Sequence, residues 1–412
     1  MKVALVTFGS AGDVHPMLAL GQSLQQRGHR VTLLTNPVWS ASVQQAGLEV
    51  RPVGEVVHYE QTLAHPKLWH PIDGLGVMWR YLLRPALRPT YEAINQLRME
   101  GLDAVVATPV AFGARLACER GGVPLLSVIT AATMLRSTQP PLTIAAWQVP
   151  AWMPRWGLQT LWNGLDRFKL EPLVRPTLDP LRRELGLPAI EGSVFGKWML
   201  SPDGVLALFP EWFAHADDWP QGLRHAGFMV YEGDKEGGLP AGLAAFLDAG
   251  PEPVVFAPGT AQRYASDFYA AAMAACEQLG MRGVLLGQHA PLVSSPDIVS
   301  VPYAPLALLL PRARALVHHG GVGTCAQGLK FSLPQGVLPS AYDQFDNAMR
   351  LERLGVGASL AMKLVNAERM TRLIKTITDD SDMALACKRW AQQMDVEAYR
   401  AKAADVVEAM LP

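Results

Sequence analysis

His318-His319-Gly320-Gly321-Val322-Gly323-Thr324 decides how the chain is read. Residues 315–318 before it are short and apolar, as a buried strand is. Residues 325–331 after it have the spacing of a helix. Glycines at such a junction let an anion approach the backbone closely. The helix N-terminus adds unpaired N–H groups and the positive end of the helix dipole. A histidine and a threonine hydroxyl supply further donors. The segment is therefore read as a diphosphate cradle, against a plain strand-to-helix turn carrying two surface histidines.

The same grammar recurs on both sides of it. Downstream, 335–338 reads as a strand and 346–354 as a helix stopped at Gly355, with a mostly helical tail over 366–411. Upstream, 253–257 is a strand, Gly259-Thr260 a turn, 268–279 a helix stopped at Gly280, and 283–286 a strand. The first half has strands at 3–8, 30–35, 50–53, 104–108, 125–129 and 205–209, the last one closing the domain. Helices are expected at 16–27, 40–46 and 111–119, with Gly28 and Gly47 where the first two should stop. Strands alternating with helices predict an α/β fold of two Rossmann-like, doubly wound parallel-sheet domains facing across a cleft. Ligands in such sheets bind outside the carboxyl ends of the strands. Loops 9–15, 258–263, 302–306, 318–324 and 339–347 are thus the ones to read for chemistry.

Residues 58–100 and 131–200 break this rhythm. They are rich in Pro and Trp (Trp69, Trp79, Trp147, Trp152, Trp156, Trp162, Trp198) and are read as mostly helical insertions. Glycines, prolines and aspartates over 216–240 mark a linker. The expected domains are 1–222 for the acceptor, 223–392 for the donor, and a helical tail, 393–412, returning to the first.

Composition narrows the function classes. A chain of 412 residues suits two domains, and with half of it hydrophobic and 18% charged there is enough apolar material for both cores. A formal net charge of −1 lacks the basic footprint that nucleic-acid binding needs. Cys118, Cys276, Cys325 and Cys387 are far apart and form no C-x-x-C pair, which argues against a metal or disulfide framework and for a reducing, cytoplasmic setting. No stretch reaches the ~20 apolar residues that cross a bilayer, so membrane contact is expected to be peripheral at most.

A second loop, Pro339-Ser340-Ala341-Tyr342-Asp343-Gln344-Phe345-Asp346-Asn347, also enters a helix. A carboxylate beside an amide suits bidentate hydrogen bonding to sugar hydroxyls, and equally well a helix cap. Taken with HHGGVGT, a Pro and then Asp-Gln about twenty residues later, the pattern resembles the donor signature of the two-domain (GT-B) glycosyltransferases. Gly9-Ser10-Ala11-Gly12-Asp13-Val14-His15-Pro16 resembles the opening loop of the same group. Asp218-Trp219-Pro220-Gln221, Asp267-Phe268-Tyr269-Ala270, Tyr303-Ala304-Pro305-Leu306, Arg167-Phe168-Lys169-Leu170 and Ser201-Pro202 look like the rhamnolipid rhamnosyltransferases.

The resemblance implies roles. His319, or His318 one place earlier, should hold the diphosphate together with Gly320, Gly321, Gly323 and Thr324. Gly259 and Thr260 should approach it from the other side. Tyr303 stands where relatives stack an aromatic on the nucleobase, and Asp343 and Gln344 should bind the sugar. Many UDP-sugar users place a Glu eight residues after the phosphate histidine, where it accepts both ribose hydroxyls. Here that residue is Gln327, a poorer double acceptor, which favours a dTDP carrier and so dTDP-rhamnose, ahead of UDP-glucose.

The expected activity is an inverting hexosyltransferase acting on a hydrophobic hydroxyl acceptor such as a hydroxy-fatty-acid lipid or a flavonoid. The acceptor pocket should come from the first-domain insertions, unless their tryptophans simply pack the insertions. In the opening loop, with Gly9, Ser10 and Gly12, Asp13 is the expected general base. A carboxylate at a helix N-terminus is weakly basic, however, and His15 is the rival because an ordinary imidazole is the better base. Asp380-Ser381-Asp382 reads as D-x-D but lies between tail helices, where a cap is expected, so neither a metal nor a further cofactor is predicted. Other readings are a nicotinamide oxidoreductase, disfavoured because Gly-Ser-Ala-Gly-Asp is not G-x-G-x-x-G, a sugar-nucleotide epimerase or hydrolase, and a non-catalytic nucleotide-sugar-binding partner. The residues leave the oligomeric state open.

Overall fold

The computed structural model describes residues 1–231, 233, 238–259, 265–293 and 295–410. The chain divides into two compact units, Met1–Met229 with Val396–Pro412, and Val230–Asp395.

Seven parallel strands build the sheet of the first unit. They are β1 (Lys2–Val6), β2 (Arg30–Thr35), β3 (Glu49–Pro52), β4 (Ala104–Ala107), β5 (Leu125–Ile129) and, past a small antiparallel hairpin of β6 (Thr143–Ile144) and β7 (Trp147–Gln148), β8 (Val205–Ala207) and β9 (Leu223–His225). The order is β3-β2-β1-β4-β5-β8-β9. Val3, Ala4, Leu5 and Val6 are all buried, as expected of a strand covered on both faces. The winding runs outward from β1 to β3 and resumes on the other side at β4. The carboxyl ends of β1 and β4 therefore flank a switch point.

Three features differ from the sequence reading. The first helix begins at Ala11 rather than Pro16. Ser10 caps it, and Pro16 is accommodated inside at the loss of one backbone bond. The strand at Val205–Ala207 does not end the sheet, because β9 adds to its edge from within the stretch read as linker. The insertions contain three wide helical turns, at Trp79–Leu83, Asp166–Leu170 and Val194–Trp198, and the first two run into a proline. The N–H of Arg84 reaches Trp79 O, and that of Glu171 reaches Asp166 O, each five residues back. Pro85 and Pro172 follow directly. They lack the N–H that would bond four residues back, and the ladder widens where that bond is missing.

The last helix, Val396–Glu408, packs on the first, Ala11–Gln26. Arg27 Nη1 donates to Asp405 (2.6 Å) and Glu408 (2.8 Å), and His29 Nε2 lies 2.8 Å from Glu408 Oε1. Gly227 has φ +124° and lies flat against the Tyr399 ring, where a β-carbon would overlap the ring.

The second unit holds six parallel strands: β10 (Val254–Ala257), β11 (Gly283–Leu286), β12 (Ile298–Val301), β13 (Ala315–His318), β14 (Gln335–Val337) and β15 (Gly357–Ser359). Their order is β12-β11-β10-β13-β14-β15, so the switch point lies between β10 and β13. Both edges escaped the sequence reading. β12 carries a serine among its apolar residues, and β15 is Gly-Ala-Ser. Each forms because its neighbour presents a free ladder, as in Gln335↔Gly357. The four cysteines are buried and unpaired. Among the described residues no helix is long and apolar enough to cross a membrane.

Gly227→Ala should lower stability by about 2–4 kcal/mol, from ring overlap plus an unfavourable φ. Tyr399→Ala should relieve part of the loss in the double variant, as read by chemical denaturation.

Candidate active site

In the second unit the loops after β10 and β13 meet at the switch point. Gly259 has φ +104°, and a β-carbon there would come within 3.0 Å of the His319 ring. On the other side a β-carbon on Gly321 would lie 2.5 Å from His319 Nε2. The imidazole is thus held between two glycine backbones, and larger residues would displace it. Thr260 lies outside the described residues. The helix Val322–Lys330 starts at Gly321, which has no side chain to cap it. Gly323 has open space around its α-carbon, and Thr324 N–H bonds back to Gly321 O at 3.0 Å.

The two histidines do different work. His318 is fully buried at the end of β13. Its Nδ1 accepts the Gly320 N–H at 3.1 Å, so the proton sits on Nε2, which donates to Gln335 Oε1 at 3.0 Å. Gln335 in turn donates to Cys325 O at 3.3 Å. His318 therefore pins the turn, with both ring nitrogens used. Burial lowers it to about 3. His319 is also held neutral, lowered by burial to about 4 against a raising interaction with the Ala257 backbone, and its buried Nδ1 makes no hydrogen bond of normal geometry.

Gly320, at φ +93°, presses on the second loop. A β-carbon there would lie 2.8 Å from Val337 Cγ1 and 3.1 Å from Gln344 O. Asn347 ties the two loops together, donating from Nδ2 to Gly320 O (2.9 Å) and to Asp343 Oδ2 (2.7 Å). Burial pushes the Asp343 carboxyl up to about 6, against stabilising bonds from Asn347 and the Val322 N–H. Gln344 Oε1 accepts the N–H groups of Ser340 (2.7 Å) and Ala341 (3.2 Å). Between them Tyr342 sits at φ +56°, a strained conformation for a tyrosine.

Among the described residues of the second unit, the buried side-chain polar atoms without a partner are His319 Nδ1, Gln327 Oε1 and Asn347 Oδ1. His319 lies in the turn after β13, Gln327 in the helix that follows it, and Asn347 in the first turn of the helix after β14. Buried polar atoms are normally satisfied, so three orphans on these neighbouring segments call for an explanation. Tyr303 follows the carboxyl end of β12 and is 59% exposed. Asp380 is a cap. Its Oδ1 accepts from Asp382 and Met383 N–H, at 2.9 and 3.0 Å.

The opening loop of the first unit is built on another glycine. Gly9, at φ +139°, has no β-carbon, and the space is filled by the Asp13 carboxylate. Asp13 Oδ2 accepts the Ser10 N–H at 2.9 Å, and Ser10 Oγ accepts the Gly12 N–H at 3.3 Å. Together they form a capping box. Trp39 Nε1 donates to Gly9 O at 3.2 Å and meets the His15 ring edge-on at 6.0 Å. Burial lowers His15 to about 4, so it is no stronger a base than a carboxylate.

Two family models match the chain: the glycosyltransferase family 28 N-terminal domain over residues 3–140, and the erythromycin biosynthesis protein CIII-like C-terminal domain over residues 284–410. O-mycaminosyltylonolide 6-deoxyallosyltransferase of Streptomyces fradiae is 30% identical over 96% of this chain and 94% of its own. This protein belongs to the GT-B glycosyltransferases. The glycotransferase of kitacinnamycin has the same fold, with a TM-score of 0.76 and 21% identity over 100% of this chain and 99% of its own. So does the spinosyn rhamnosyltransferase SpnG complexed with thymidine diphosphate, with a TM-score of 0.68 and 20% identity over 100% of both chains.

In this glycosyltransferase, sequence reasoning missed Gln335, Asn347 and Trp39. Asn347 closes the quoted second loop, and its spacing of four from Asp343 within a helix was an available signal. Nothing local marks Gln335 or Trp39, which reach the site from other elements.

Gly320→Ala should destabilise the second unit by about 2–4 kcal/mol, whereas Gly323→Ala, in open space, should change stability by under about 1 kcal/mol. Both are read by urea melts. The buried histidines have folded values of about 3 and 4 against an ordinary 6.5. Between those limits the unfolded state holds more protons, so they lower stability as pH falls. Asp343, raised from 3.8 to about 6, opposes this slope. Asp343→Asn should therefore steepen the acid loss between pH 6 and 4, and His319→Gln should flatten it.

Proposed function

We propose that this enzyme transfers L-rhamnose from dTDP-L-rhamnose to a hydroxyl of a hydrophobic acceptor, with inversion and without a metal ion. The observation that carries the donor reading is the trio of orphaned buried atoms, His319 Nδ1, Gln327 Oε1 and Asn347 Oδ1, about an uncapped helix N-terminus. In this reading the diphosphate lies on the N–H groups of the Gly321–Thr324 turn, with His319 and the Thr324 hydroxyl as further donors and Gly259 leaving room beside it. The neutral imidazole donates a hydrogen bond and carries no charge to neutralise. Tyr303 stacks on the base. Asp343 and Gln344 face the sugar, held by Asn347 and by the loop N–H groups.

Gln327 Oε1 offers one buried acceptor, which suits the single free hydroxyl of a deoxyribose. The Streptomyces fradiae relative is named for a 6-deoxysugar and SpnG for rhamnose, itself a 6-deoxyhexose. The segment resemblance to the rhamnolipid rhamnosyltransferases points the same way. Relatives named for macrolide-type aglycones add a third acceptor class to hydroxy-lipids and flavonoids.

Asp13 is the proposed general base, taking the acceptor proton as the oxygen attacks the anomeric carbon and the C1–O bond to the diphosphate breaks. Transition-state charge then builds on the leaving diphosphate, where preorganised donors act. His15, neutral and half-buried with its ring edge-on to Trp39, shapes the loop. UDP-glucose is the runner-up donor.

Nucleotide release should be measured with dTDP-rhamnose and UDP-glucose, using a hydroxyalkanoyl lipid, a flavonol and a macrolide aglycone as acceptors. Acceptor-dependent release from dTDP-rhamnose is expected, reduced about 10²–10⁴-fold in Asp13→Asn. His319→Ala should weaken thymidine diphosphate binding about 10–100-fold, and Gln327→Glu should move preference toward the uridine donor. Release from UDP-glucose alone would refute the donor assignment.

A further inference from the structure

Residues 142–170 of the first unit form a small subdomain with its own core. Leu142, Val149 and Leu158 are buried, with Ile144, Met153, Leu161 and Trp162 packed around them. Trp162 is used internally, its Nε1 donating to Ser137 O at 2.9 Å, with the Arg136 guanidinium over its ring. Neighbouring aromatics are treated differently. Trp152 is 78% exposed, Trp156 75% and Phe168 77%, and Trp147 on the hairpin is 43% exposed. Four large aromatic side chains on the surface of one 29-residue stretch are a costly arrangement in water, and such patches mark contact surfaces.

Their setting selects the partner. The turn over residues 150–154 leads into helix Arg155–Leu165, with Trp152 and Trp156, four residues apart, both exposed at that end. The wide turn Asp166–Leu170 brings Arg167, Phe168 and Lys169 to the surface at the other, about 18 Å away along the helix. Arg155, Arg167 and Lys169 are exposed. The single acid of the stretch, Asp166, is buried and paired with Arg136 at 2.5 Å. Lys169 also lies 3.8 Å from Asp73 of the neighbouring insertion. The stretch therefore exposes tryptophan and phenylalanine together with cations, and its own single acid is buried. Tryptophan favours the headgroup level of a bilayer, and basic helices with one aromatic face lie in that layer.

We infer that residues 142–170 dock the enzyme on an anionic lipid surface, with Trp152, Trp156 and Phe168 entering the headgroup layer and Arg155, Arg167 and Lys169 meeting lipid phosphates. This stands apart from the donor reading, since it engages no residue of the second unit.

The test is co-sedimentation of the full-length protein with vesicles of phosphatidylcholine alone or mixed with phosphatidylglycerol, alongside tryptophan quenching by brominated lipid. Binding to the mixed vesicles is expected, falling with added salt, with quenching of tryptophan emission. Trp152→Ser/Trp156→Ser/Phe168→Ser should lower binding at least about tenfold while the unfolding midpoint and far-UV circular dichroism stay unchanged. Arg155→Gln/Arg167→Gln/Lys169→Gln, which keeps the aromatic side chains and loses only the surface contacts of Arg167 with the Phe168 ring and of Lys169 with Asp73, should abolish the preference for phosphatidylglycerol. No binding by the native protein, or binding by both variants as strong and as selective as the native protein's, would overturn the inference. So would a native dimer in solution that the aromatic variant loses, because the patch would then be a contact between copies.

Discussion

Gly320 has no side chain, and the second unit is arranged around that fact. Its α-carbon lies so close to Val337 and to the Gln344 backbone that no other residue fits. The contact joins the turn after β13 to the turn after β14, two segments that a bulkier residue would force apart. Asn347 then bonds both Gly320 O and Asp343, and His318 receives the Gly320 N–H. The position of His319, the exposed helix start and the Asp343–Gln344 loop follow from this one close approach.

The opening loop of the first unit uses the same device for a different end. Gly9 gives way to the Asp13 carboxylate, which turns back on Ser10 to close a capping box. The structural and chemical readings of Asp13 are therefore compatible, because a carboxylate fixed by one oxygen is an oriented carboxylate. A carboxylate can accept both a capping N–H and a proton.

Burial sets the chemistry at both sites. An imidazole taken from water loses affinity for its proton. His15, His318 and His319 are thereby all neutral near pH 7, at about 4, 3 and 4. A diphosphate held at the proposed site would meet oriented N–H donors and no fixed cation on these histidines. Such donors need no reorganisation as charge builds on a leaving group.

Local sequence dictates the two parallel α/β sheets, the glycine turns and the segments that carry the chemistry. Apolar runs, helix spacing and glycine torsions are all written within ten residues or so. His318 and His319 are indistinguishable at that range, because the difference between them rests on Gln335, seventeen residues on and in the next strand. His15 reads as the stronger base until its partial burial beside Trp39 is counted. The edge strands β9 and β15 lack an apolar signature, and β12 is a four-residue run broken by Ser300; each exists because a neighbour offers a free ladder. Of the insertion tryptophans, Trp79 and Trp198 enter the core while Trp152 and Trp156 stay outside. Composition is the same for all four, and only the packing of distant segments sets which side of each helix faces inward.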